Sequence, residues 1–362
     1  MAIFAGIMSG TSLDGADAAL VEFDSGAQRT LAFSSVPFAP ALRERLLALC
    51  NARLDTLDEA GDVSIALAKS YAEAFNDALA AAAVPRERIT AIGCHGQTVR
   101  HRPERAFTTQ LNDPALLAEV CGVDVVADFR RRDVAAGGQG APLAPAFHQA
   151  VFRSTQVPRA VVNIGGIANV SLLPVTGACL GFDCGPGNVL LDAWAKRHIN
   201  ADYDADGAWA ARGRVSAPLL ERLRADAYFG RVPPKSTGRE HFNAAWLDAR
   251  QPEGIDAADV QATLVELTAG SIVDAIDRHG PGVREIYLCG GGARNPLIRN
   301  RIAALGAGRR VADTAALGIP SAVVEAAAFA WLAMKHTRRE AIDLTSITGA
   351  RGPRILGALY PR

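Results

Sequence analysis

Two segments of this chain share one pattern: an apolar strand, a glycine-rich tip and a second apolar strand. The first occupies residues 2–23 and reads AIFAGIMSGTSLDGADAALVEF, and the second occupies residues 159–173 and reads RAVVNIGGIANVSLL. Further strand and helix patterns follow each of them. The repeat of strand, tip and strand at the head of each half predicts a duplicated α/β architecture, in which strands alternate with helices.

Length and charge limit what such a chain can be. Its 362 residues exceed the size at which one hydrophobic core usually keeps growing, which predicts two lobes of roughly 150 to 200 residues and a cleft between them. Lys plus Arg equals Asp plus Glu, at 38 each. A chain without net charge has no global field that would attract nucleic acid or an anionic membrane. We therefore expect a small-molecule partner, and a homodimer is the open alternative to a monomer.

The N-terminus and the cysteines indicate the compartment. The N-terminal segment has no basic stretch, and its apolar run stops at Ser9, too early for a signal peptide or a membrane span. Six cysteines lie scattered, without a Cys-x-x-Cys pair and without a histidine at metal-ligand spacing. We expect a cytoplasmic protein with reduced, mostly buried thiols.

Periodicity and turn residues predict the remaining elements. Strands are expected over residues 29–38, 89–94, 123–127, 179–183 and 284–289, and helices over residues 42–50, 58–83, 114–121, 189–198, 218–228, 257–279 and 320–337. Residues 95–103 and 128–145 are rich in polar residues, glycine and arginine, so we expect loops there.

The first glycine-rich tip gathers hydroxyl and backbone N–H groups at one turn. Its residues are Gly10, Thr11, Ser12, Leu13, Asp14, Gly15, Ala16 and Asp17, and the Ser9 hydroxyl precedes them. Such a tip can cradle a phosphate, although it lacks the Gly-Lys-Ser/Thr sequence of a P-loop. Asp14 and Asp17 are candidates for hydrated Mg2+, which uses few protein carboxylates. An ordinary glycine-rich turn with surface acids is the alternative.

The second tip offers similar groups. Asn163, Gly165, Gly166 and Asn169 bring amide side chains and backbone N–H groups to a short turn. Two such tips can hold a polyphosphate from opposite sides. A plain hairpin is the alternative for each tip taken alone.

Two further segments carry candidate site residues. In FDCGPGN, residues 182–188, Asp183 is expected to end an apolar strand, where a carboxylate is well placed as a catalytic base. The alternative is that Asp183 only caps the following helix. In LCGGGARNPL, residues 288–297, a strand runs into three glycines and a helix start, where an adenine or a phosphate can approach the backbone closely.

The predicted loops and one helix supply candidate substrate residues. HGQT at residues 95–98 and DFRRRDVAAGGQGAP at residues 128–142 concentrate polar and cationic groups that suit a hydroxylated, anionic substrate. A solvated surface explains the arginines equally well, and His95 is more typical of a hydrogen-bonded structural residue. Glu325 is a lone carboxylate in the apolar segment PSAVVEAAAFAW, and the sequence does not decide which way it faces.

Eight motifs together carry a family resemblance. In chain order they are GIMSGTSLDGAD, CHGQTVRH, ADFRRRDVAAGGQGAPL, VNIGGIANVSLL, FDCGPGNVLLD, PKSTGREHFN, LCGGGARNP and VVEAAAFAWLA. Between residues 6 and 333 their order and spacing resemble the anhydro-N-acetylmuramic acid kinase family. Small departures, such as Cys184 and His241, leave the polar groups of the motifs in place.

The resemblance implies a fold and a set of binding residues. It implies a two-lobed, actin- and hexokinase-like fold built from duplicated ribonuclease H-like lobes, with ATP and Mg2+ in the interlobe cleft. Residues 1–137 with 320–362 would form the N-terminal lobe, and residues 138–319 the C-terminal lobe. The implied contacts comprise phosphate-binding residues 10–17, phosphate-binding residues Asn163, Gly165, Gly166 and Asn169, adenosine-site residues Gly290, Gly291, Gly292 and Asn295, and sugar-site residues Gln97, Thr98, Arg131 and Glu325.

The resemblance also implies a reaction. Family members open the 1,6-anhydro bond of the sugar and phosphorylate its 6-oxygen, giving N-acetylmuramic acid 6-phosphate and ADP in cell-wall recycling. The 6-oxygen of the anhydro sugar carries no proton, so Asp183 would deprotonate water that attacks the anomeric carbon. Two alternatives stay open: a conventional sugar or carboxylate kinase of the same fold, and an actin-like ATPase that uses nucleotide as a switch.

Overall fold

The computed structural model describes residues 1–10, 12–24, 28–51, 56–250 and 254–362. Thirteen strands are described there. They are β1 Ala2–Met8, β2 Gly15–Phe23, β3 Gln28–Pro37, β4 Ile89–Cys94, β5 Gln97–Arg102, β6 Phe107–Leu111, β7 Val125–Ala127, β8 Arg159–Ile164, β9 Ile167–Leu173, β10 Leu180–Pro186, β11 Glu285–Cys289, β12 Arg310–Asp313 and β13 Ala358–Tyr360.

The α-helices of the described residues alternate with these strands. They are α1 Pro40–Cys50, α2 Leu57–Ala82, α3 Pro114–Cys121, α4 Phe129–Ala135, α5 Ala144–Phe152, α6 Val189–Ile199, α7 Ala217–Arg224, α8 Ala227–Gly230, α9 Ala244–Asp248, α10 Ala257–His279, α11 Pro296–Leu305, α12 Val324–Thr337 and α13 Thr345–Thr348. Within the described residues, no helix is long and apolar enough to cross a membrane.

The contacts between residues divide the chain into two compact units. Unit 1 comprises Met1–Phe147 and Val323–Arg362, and unit 2 comprises His148–Ala322. The lobes expected from the sequence have their boundaries at residues 137 and 320 instead, and that assignment stays a prediction.

Unit 1 is built on a six-stranded sheet in the order β13-β7-β4-β1-β2-β3. β1 pairs antiparallel with β2 and parallel with β4. Ile3 and Ile7 of β1 share a core cluster with Tyr71 and Phe75 of α2. Because successive side chains of a strand point to opposite faces, this leaves Gly6 of β1 on the face away from α2.

Helix α12 lies against this second face at a spacing that only glycine permits. A Cβ built on Gly6 would lie 1.8 Å from the carbonyl oxygen of Ala326, and one built on Gly93 would lie 2.1 Å from the carbonyl oxygen of Phe329. The two glycines therefore let the helix backbone approach the sheet closely. They also explain why this late segment of the chain belongs to unit 1.

Unit 2 contains a five-stranded sheet in the order β10-β9-β8-β11-β12. β8 and β9 form an antiparallel hairpin, and β11 pairs parallel with β8. The long helix α10 supplies much of the core, where Leu264 and Ile276 cluster with Val162 of β8 and Ile286 of β11. Asp256 caps its first turn by accepting a hydrogen bond from the Ala258 N–H.

Three segments have a secondary structure other than the one predicted. Residues 95–103 are not a loop, because Gln97–Arg102 pairs with Phe107–Leu111 in a two-stranded sheet. Residues 128–145 contain helix α4 and the start of α5. The single helix expected over residues 218–228 is two helices, α7 and α8, because the Asp226 side chain accepts a hydrogen bond from the Tyr228 N–H and starts a new helix.

Candidate active site

In unit 1 the first tip connects β1 to β2. Leu13 has φ 60° and is 1% exposed, and its N–H donates to the Gly10 carbonyl at 3.3 Å. The Ser9 hydroxyl is turned inward, where it lies 2.7 Å from the Tyr71 hydroxyl and donates to the Gly96 carbonyl at 3.3 Å. Ser9 therefore anchors the tip. Thr11, predicted as a phosphate contact, lies outside the described residues.

The remaining residues of this tip differ in exposure. The Asp14 side chain is 72% exposed and lies 3.9 Å from Arg43. Ala16 is fully buried, and a Cβ built on Gly15 would lie 2.3 Å from the Val36 carbonyl oxygen. Asp17 stands opposite Met8 in the strand pair. Gly10, Ser12 and Asp14 thus offer accessible groups at the turn, while Gly15 and Ala16 hold its base.

Gln97 is the predicted sugar-site residue that contacts this tip. It is 1% exposed, and its Nε2 donates to the Gly10 carbonyl at 3.2 Å. Its Oε1 is buried and has no hydrogen-bond partner among the described residues. Such an orphaned acceptor is costly unless a ligand or water supplies a donor. Thr98 follows on β5, and its hydroxyl accepts from Gln110 at 3.2 Å.

In the arginine segment at the start of α4, Arg131 is exposed and Arg130 faces inward. The Arg131 side chain is 63% exposed and lies 3.4 Å from Asp128. Arg130 donates from Nε to His95 Nε2 at 2.9 Å and from Nη1 to the Gly140 carbonyl at 2.8 Å. Burial, assisted by Arg130, holds the pKa of His95 well below its usual value. His95 is therefore a neutral structural residue, as its sequence context favoured.

Asp133 holds the glycine-rich segment that follows α4, a role that sequence reasoning missed. It is 1% exposed, accepts from the Gly140 N–H at 2.7 Å and accepts from the Thr348 hydroxyl at 2.7 Å. Burial raises the pKa of its carboxyl. Glu325, the fourth predicted sugar-site residue, lies half-buried in the first turn of α12.

In unit 2 the second tip is joined to the start of helix α6 by backbone bonds. The Gly166 carbonyl accepts from the N–H groups of Gly187 and Val189 at 2.9 and 3.0 Å, and the Gly165 carbonyl accepts from the Asn188 N–H at 2.8 Å. This arrangement brings the tip beside a helix N-terminus, which favours anions.

The asparagines of the second hairpin lie next to the glycine segment. Asn163 pairs directly with Asn169 across the hairpin. A Cβ on Gly290, which has φ 81°, would lie 2.2 Å from Asn163 Oδ1. Gly292 packs equally tightly against the Ile164 side chain. The structure therefore brings the predicted phosphate and adenosine residues of this unit together.

Asn295 serves a structural role at the end of that segment. Its Oδ1 accepts from the N–H groups of Leu297 and Ile298 at 3.0 and 3.3 Å, so it caps helix α11. The side-chain oxygen is thereby engaged, and a ligand contact would use the amide nitrogen or the backbone.

Asp183 lies within β10, not at its end, because the strand continues to Pro186. It is 8% exposed, and its Oδ2 accepts from the Thr237 N–H at 2.9 Å. Helix α6 has Asn188 at its N-cap position. The alternative that Asp183 merely caps this helix is therefore wrong.

The loop of residues 235–237 surrounds Asp183 and was not predicted as part of the site. The Lys235 carbonyl accepts from the Asp183 N–H at 3.2 Å, and the Tyr228 hydroxyl donates to the Asp183 carbonyl at 2.8 Å. Lys235 Nζ in turn donates to the Tyr228 carbonyl at 3.2 Å. These bonds hold both the backbone and the carboxylate of Asp183.

Comparison with known proteins identifies the family. A profile described as anhydro-N-acetylmuramic acid kinase matches residues 2–362. This chain belongs to the anhydro-N-acetylmuramic acid kinase family. The anhydro-N-acetylmuramic acid kinase of Burkholderia ambifaria is 51% identical over 368 residues, which cover 99% of this chain and 96% of that protein. The protein of the same name from Variovorax paradoxus is 50% identical, with 99% of both chains covered.

A solved structure shows the fold. Component A of the (R)-2-hydroxyglutaryl-CoA dehydratase of Acidaminococcus fermentans has a TM-score of 0.50 and 14% identity, covering 91% of this chain and 98% of its own. The chain has the actin- and hexokinase-like fold. It is a kinase, an enzyme that uses ATP.

Within the family motifs, one signal could have revealed the loop beside Asp183. PKSTGREHFN is one of the motifs that carry the family resemblance, but its sequence alone assigns no catalytic or binding role to any of its residues. Its lysine is 7% exposed in the structure, an unusual burial for this residue type. This buried lysine belongs to the loop whose backbone bonds to Asp183.

Proposed function

We propose that this chain uses ATP to open the 1,6-anhydro bond of 1,6-anhydro-N-acetylmuramic acid and to phosphorylate the 6-oxygen. The products are N-acetylmuramic acid 6-phosphate and ADP, and the step belongs to cell-wall recycling. The match to relatives named for this sugar supports the substrate. The observation that carries the proposal is the nearly buried Asp183 carboxylate, oriented by the Thr237 N–H instead of being used as a helix cap.

The chemistry of the sugar determines what Asp183 does. The 6-oxygen is bonded to the anomeric carbon and carries no proton, so a base has nothing to remove from it. Asp183 instead takes a proton from water, whose oxygen bonds to the anomeric carbon as the bond from that carbon to the 6-oxygen breaks. The released 6-oxygen accepts the γ-phosphoryl group, and ADP leaves.

We assign a phosphate-binding role to each tip, taken within its own unit. In the first, the accessible groups of Gly10 and Ser12 suit phosphate oxygens; in the second, the helix N-terminus behind Gly165 and Gly166 favours negative charge. The glycines at residues 290–292 permit close approach of the adenosine.

We assign Mg2+ to the first tip, with Asp14 as its carboxylate. In the described part of the chain no three His, Cys, Asp or Glu residues converge on a possible metal position. This fits an ion that keeps most of its waters and binds mainly through substrate phosphates. The exposed Asp14 side chain can reach such a hydrated ion. Magnesium neutralises phosphate charge during transfer.

We assign the sugar to Gln97, Thr98, Arg131 and Glu325. The orphaned Oε1 of Gln97 supports this, because a sugar hydroxyl or an N-acetyl N–H would supply the missing donor. The exposed Arg131 guanidinium suits the lactyl carboxylate, with which it can form two parallel hydrogen bonds.

We place the enzyme in the cytoplasm, where ATP is available and where its six cysteines stay reduced. The described cysteines are all free thiols, which supports this compartment. A homodimer is compatible with the proposal, and sedimentation analysis of the purified chain tests it.

A substrate panel tests the function. The protein is incubated with ATP, magnesium and, separately, the anhydro sugar, free N-acetylmuramic acid, N-acetylglucosamine and glucose, and ADP is measured. We expect ADP release with the anhydro sugar far above the others. Faster turnover of free N-acetylmuramic acid or glucose would identify a conventional sugar kinase. Slow ATP turnover that is equal with every sugar would indicate an ATPase switch.

Heavy-oxygen water tests the coupled bond opening. In a reaction too brief for spontaneous anomeric exchange, we expect the label in the new anomeric hydroxyl and none in the bridge of the phosphate ester. Label in the bridge would show that the 6-oxygen leaves the sugar, and the coupled mechanism would have to be abandoned even if the kinase assignment held.

A further inference from the structure

Unit 2 contains a cavity that the proposed reaction does not use. Its volume is about 340 Å³. The exposed residues Arg224, Asp274 and Arg278 line it at the surface, and the buried residues Cys184 and Lys235 line it more deeply. Cys184 is the residue after Asp183, so the cavity adjoins the strand that carries the proposed base.

The charges around this cavity do not balance. Arg224 and Asp274 form an ion pair with each other. Asp274 is the one carboxylate among the described residues that line the cavity. Lys235 and Arg278 therefore remain as two positive charges without a carboxylate of the cavity to neutralise them. A cavity with this excess is complementary to a ligand with two negative charges.

Lys235 is the buried cation of this cavity. It is 7% exposed, its Nζ donates to the Tyr228 carbonyl at 3.2 Å, and it lies 4.6 Å from the centroid of the Tyr228 ring. Both partners are uncharged, and an ammonium group has three donors. Burial lowers the pKa of Lys235 most, Arg278 and Arg231 lower it further, and Cys184 and Asp183 oppose them only in part. A buried cation held in this way is costly, and a bound anion would relieve that cost.

We propose that this cavity binds a phosphate dianion, either free phosphate or the phosphate group of a sugar phosphate. The guanidinium of Arg278 and the ammonium of Lys235 are the side-chain types that bind phosphate oxygens. One Arg278 nitrogen already donates to the Phe229 carbonyl at 2.9 Å, which fixes the side chain at the cavity. His279 also lines the cavity, and burial lowers its pKa, so it offers a neutral donor without adding charge.

The position of the cavity links an occupant to Asp183. Lys235 lines the cavity with its side chain, while its carbonyl accepts from the Asp183 N–H at 3.2 Å. Two residues later, the Thr237 N–H donates to the Asp183 carboxylate. A phosphate on Lys235 would therefore bind the same loop that orients Asp183.

Calorimetric titration tests the binding directly. The full chain is first saturated with magnesium and ADP, so that the phosphate-binding tips are occupied, and no sugar acceptor is present. Inorganic phosphate and glucose 6-phosphate are then titrated separately. We expect binding of at least one in the millimolar range or tighter, and the tighter of the two identifies the source of the phosphate group. Because no turnover is measured, the result is independent of the proposed reaction.

Three variants and a control locate the site. Arg278→Met and Lys235→Met remove the two unbalanced charges, and Ala275→Leu fills the cavity without changing any charge. We expect each to weaken phosphate binding by about tenfold or more, in line with the loss of a charge-assisted contact. Arg197→Met removes an arginine of the same unit that pairs with Asp248, and it should change the affinity less than about twofold.

The measurements distinguish a misfolded variant, absent phosphate binding and phosphate binding at another place. Thermal melts and ADP affinity identify any variant that fails to fold, and Ala275→Leu still tests the cavity if Lys235→Met does fail. Absence of saturable phosphate binding would overturn the proposal. Binding that Arg278→Met, Ala275→Leu and Arg197→Met leave equally strong would overturn it too, because the phosphate would then bind elsewhere.

Discussion

The two glycine-rich tips look alike in sequence, yet the protein supports them by different means. Side chains brace the first: the Ser9 hydroxyl contacts Tyr71, and Gln97 donates to the Gly10 carbonyl. Backbone bonds brace the second, whose Gly165 and Gly166 carbonyls accept N–H groups from the start of helix α6. A side-chain substitution can therefore loosen the first tip, whereas the second is sensitive mainly to changes that move its backbone.

A second difference concerns the neighbours of the two tips. The second tip lies on a hairpin that pairs with β10, the strand that carries Asp183. No described residue of the first tip has a comparably buried carboxylate, since Asp14 is 72% exposed and Asp17 is half-buried. We therefore expect the largest effects on turnover from unit 2, and smaller, graded effects from the braces in unit 1.

Substitution of Asp183 should have the largest effect. Asp183→Asn keeps the size and much of the hydrogen bonding but removes the basic oxygen, so kcat should fall by about a hundred- to ten-thousand-fold. Affinity for the sugar and for ATP should change little. Steady-state kinetics and calorimetry measure these quantities.

The control for this prediction is Asp206→Asn, an exposed residue of unit 2 with φ 56°, a conformation that asparagine tolerates well. It should leave kcat unchanged. Wild-type turnover by Asp183→Asn would contradict the role of Asp183 as a base.

The backbone support of the second tip is tested at Gly187. A Cβ there would lie 2.3 Å from the Gly165 carbonyl oxygen, so Gly187→Ala must displace the tip. We expect the free energy of unfolding to fall by about 2 kcal/mol and KM for ATP to rise about tenfold as phosphate contacts are lost. Chemical denaturation and initial-rate kinetics measure both.

Gly282→Ala is the matched control in the same unit, because the nearest atom to its new Cβ is 3.8 Å away. It should change neither quantity appreciably. If Gly187→Ala instead behaved like this control, the backbone bonds between the tip and helix α6 would not determine ATP binding.

Some of these elements could be predicted from the sequence alone. The bounds of β4, α3 and α10 were predicted to the residue, because local signals mark them. Helix α3, for example, has Asp113 as its N-cap, proline at its first position and Gly122 with φ 60° after its last. Both tips and their flanking strands were likewise predicted, since apolar runs broken by glycine specify hairpins locally.

What the sequence did not reveal depends on distant partners. β5 has Val99 as its one apolar residue and shows no alternation, so only its pairing with β6 identifies it as a strand. Helix α4 reads as a charged loop, but Asp133 within it bonds to Thr348 far along the chain. In the same way, the local pattern predicts Asp183 as a site residue, whereas it does not reveal the loop at residues 235–237, because the contact between them exists only in the folded chain.

The contact of Gln97 with the first tip is tested by substitution. Gln97→Ala removes the hydrogen bond to the Gly10 carbonyl and the orphaned Oε1 that we assign to the sugar. We expect kcat/KM for the sugar to fall about tenfold, the loss typical of one polar contact.

Gln261→Ala is a matched control in unit 2, since Gln261 is also buried, donates to one carbonyl and carries an orphaned Oε1. Both variants should lose some stability, but only Gln97→Ala should lose activity toward the sugar. Equal losses of activity in the two variants would show that Gln97 acts through stability alone.

The smallest effect is expected from the other side-chain support of the first tip, the contact between Ser9 and Tyr71. The two hydroxyls are buried and 2.7 Å apart. Ser9→Ala and Tyr71→Phe should each lower the free energy of unfolding by about 1 kcal/mol, and the double variant should lose less than the sum because the pair shares one bond. KM for ATP should rise by less than about threefold in all three, since Ser9 faces the core and Gln97 still holds the tip. Denaturation curves and initial rates for the complete cycle measure these changes. A KM increase as large as that of Gly187→Ala would mean that the first tip depends on its side-chain anchor as strictly as the second depends on its backbone, and the contrast between the two tips would disappear.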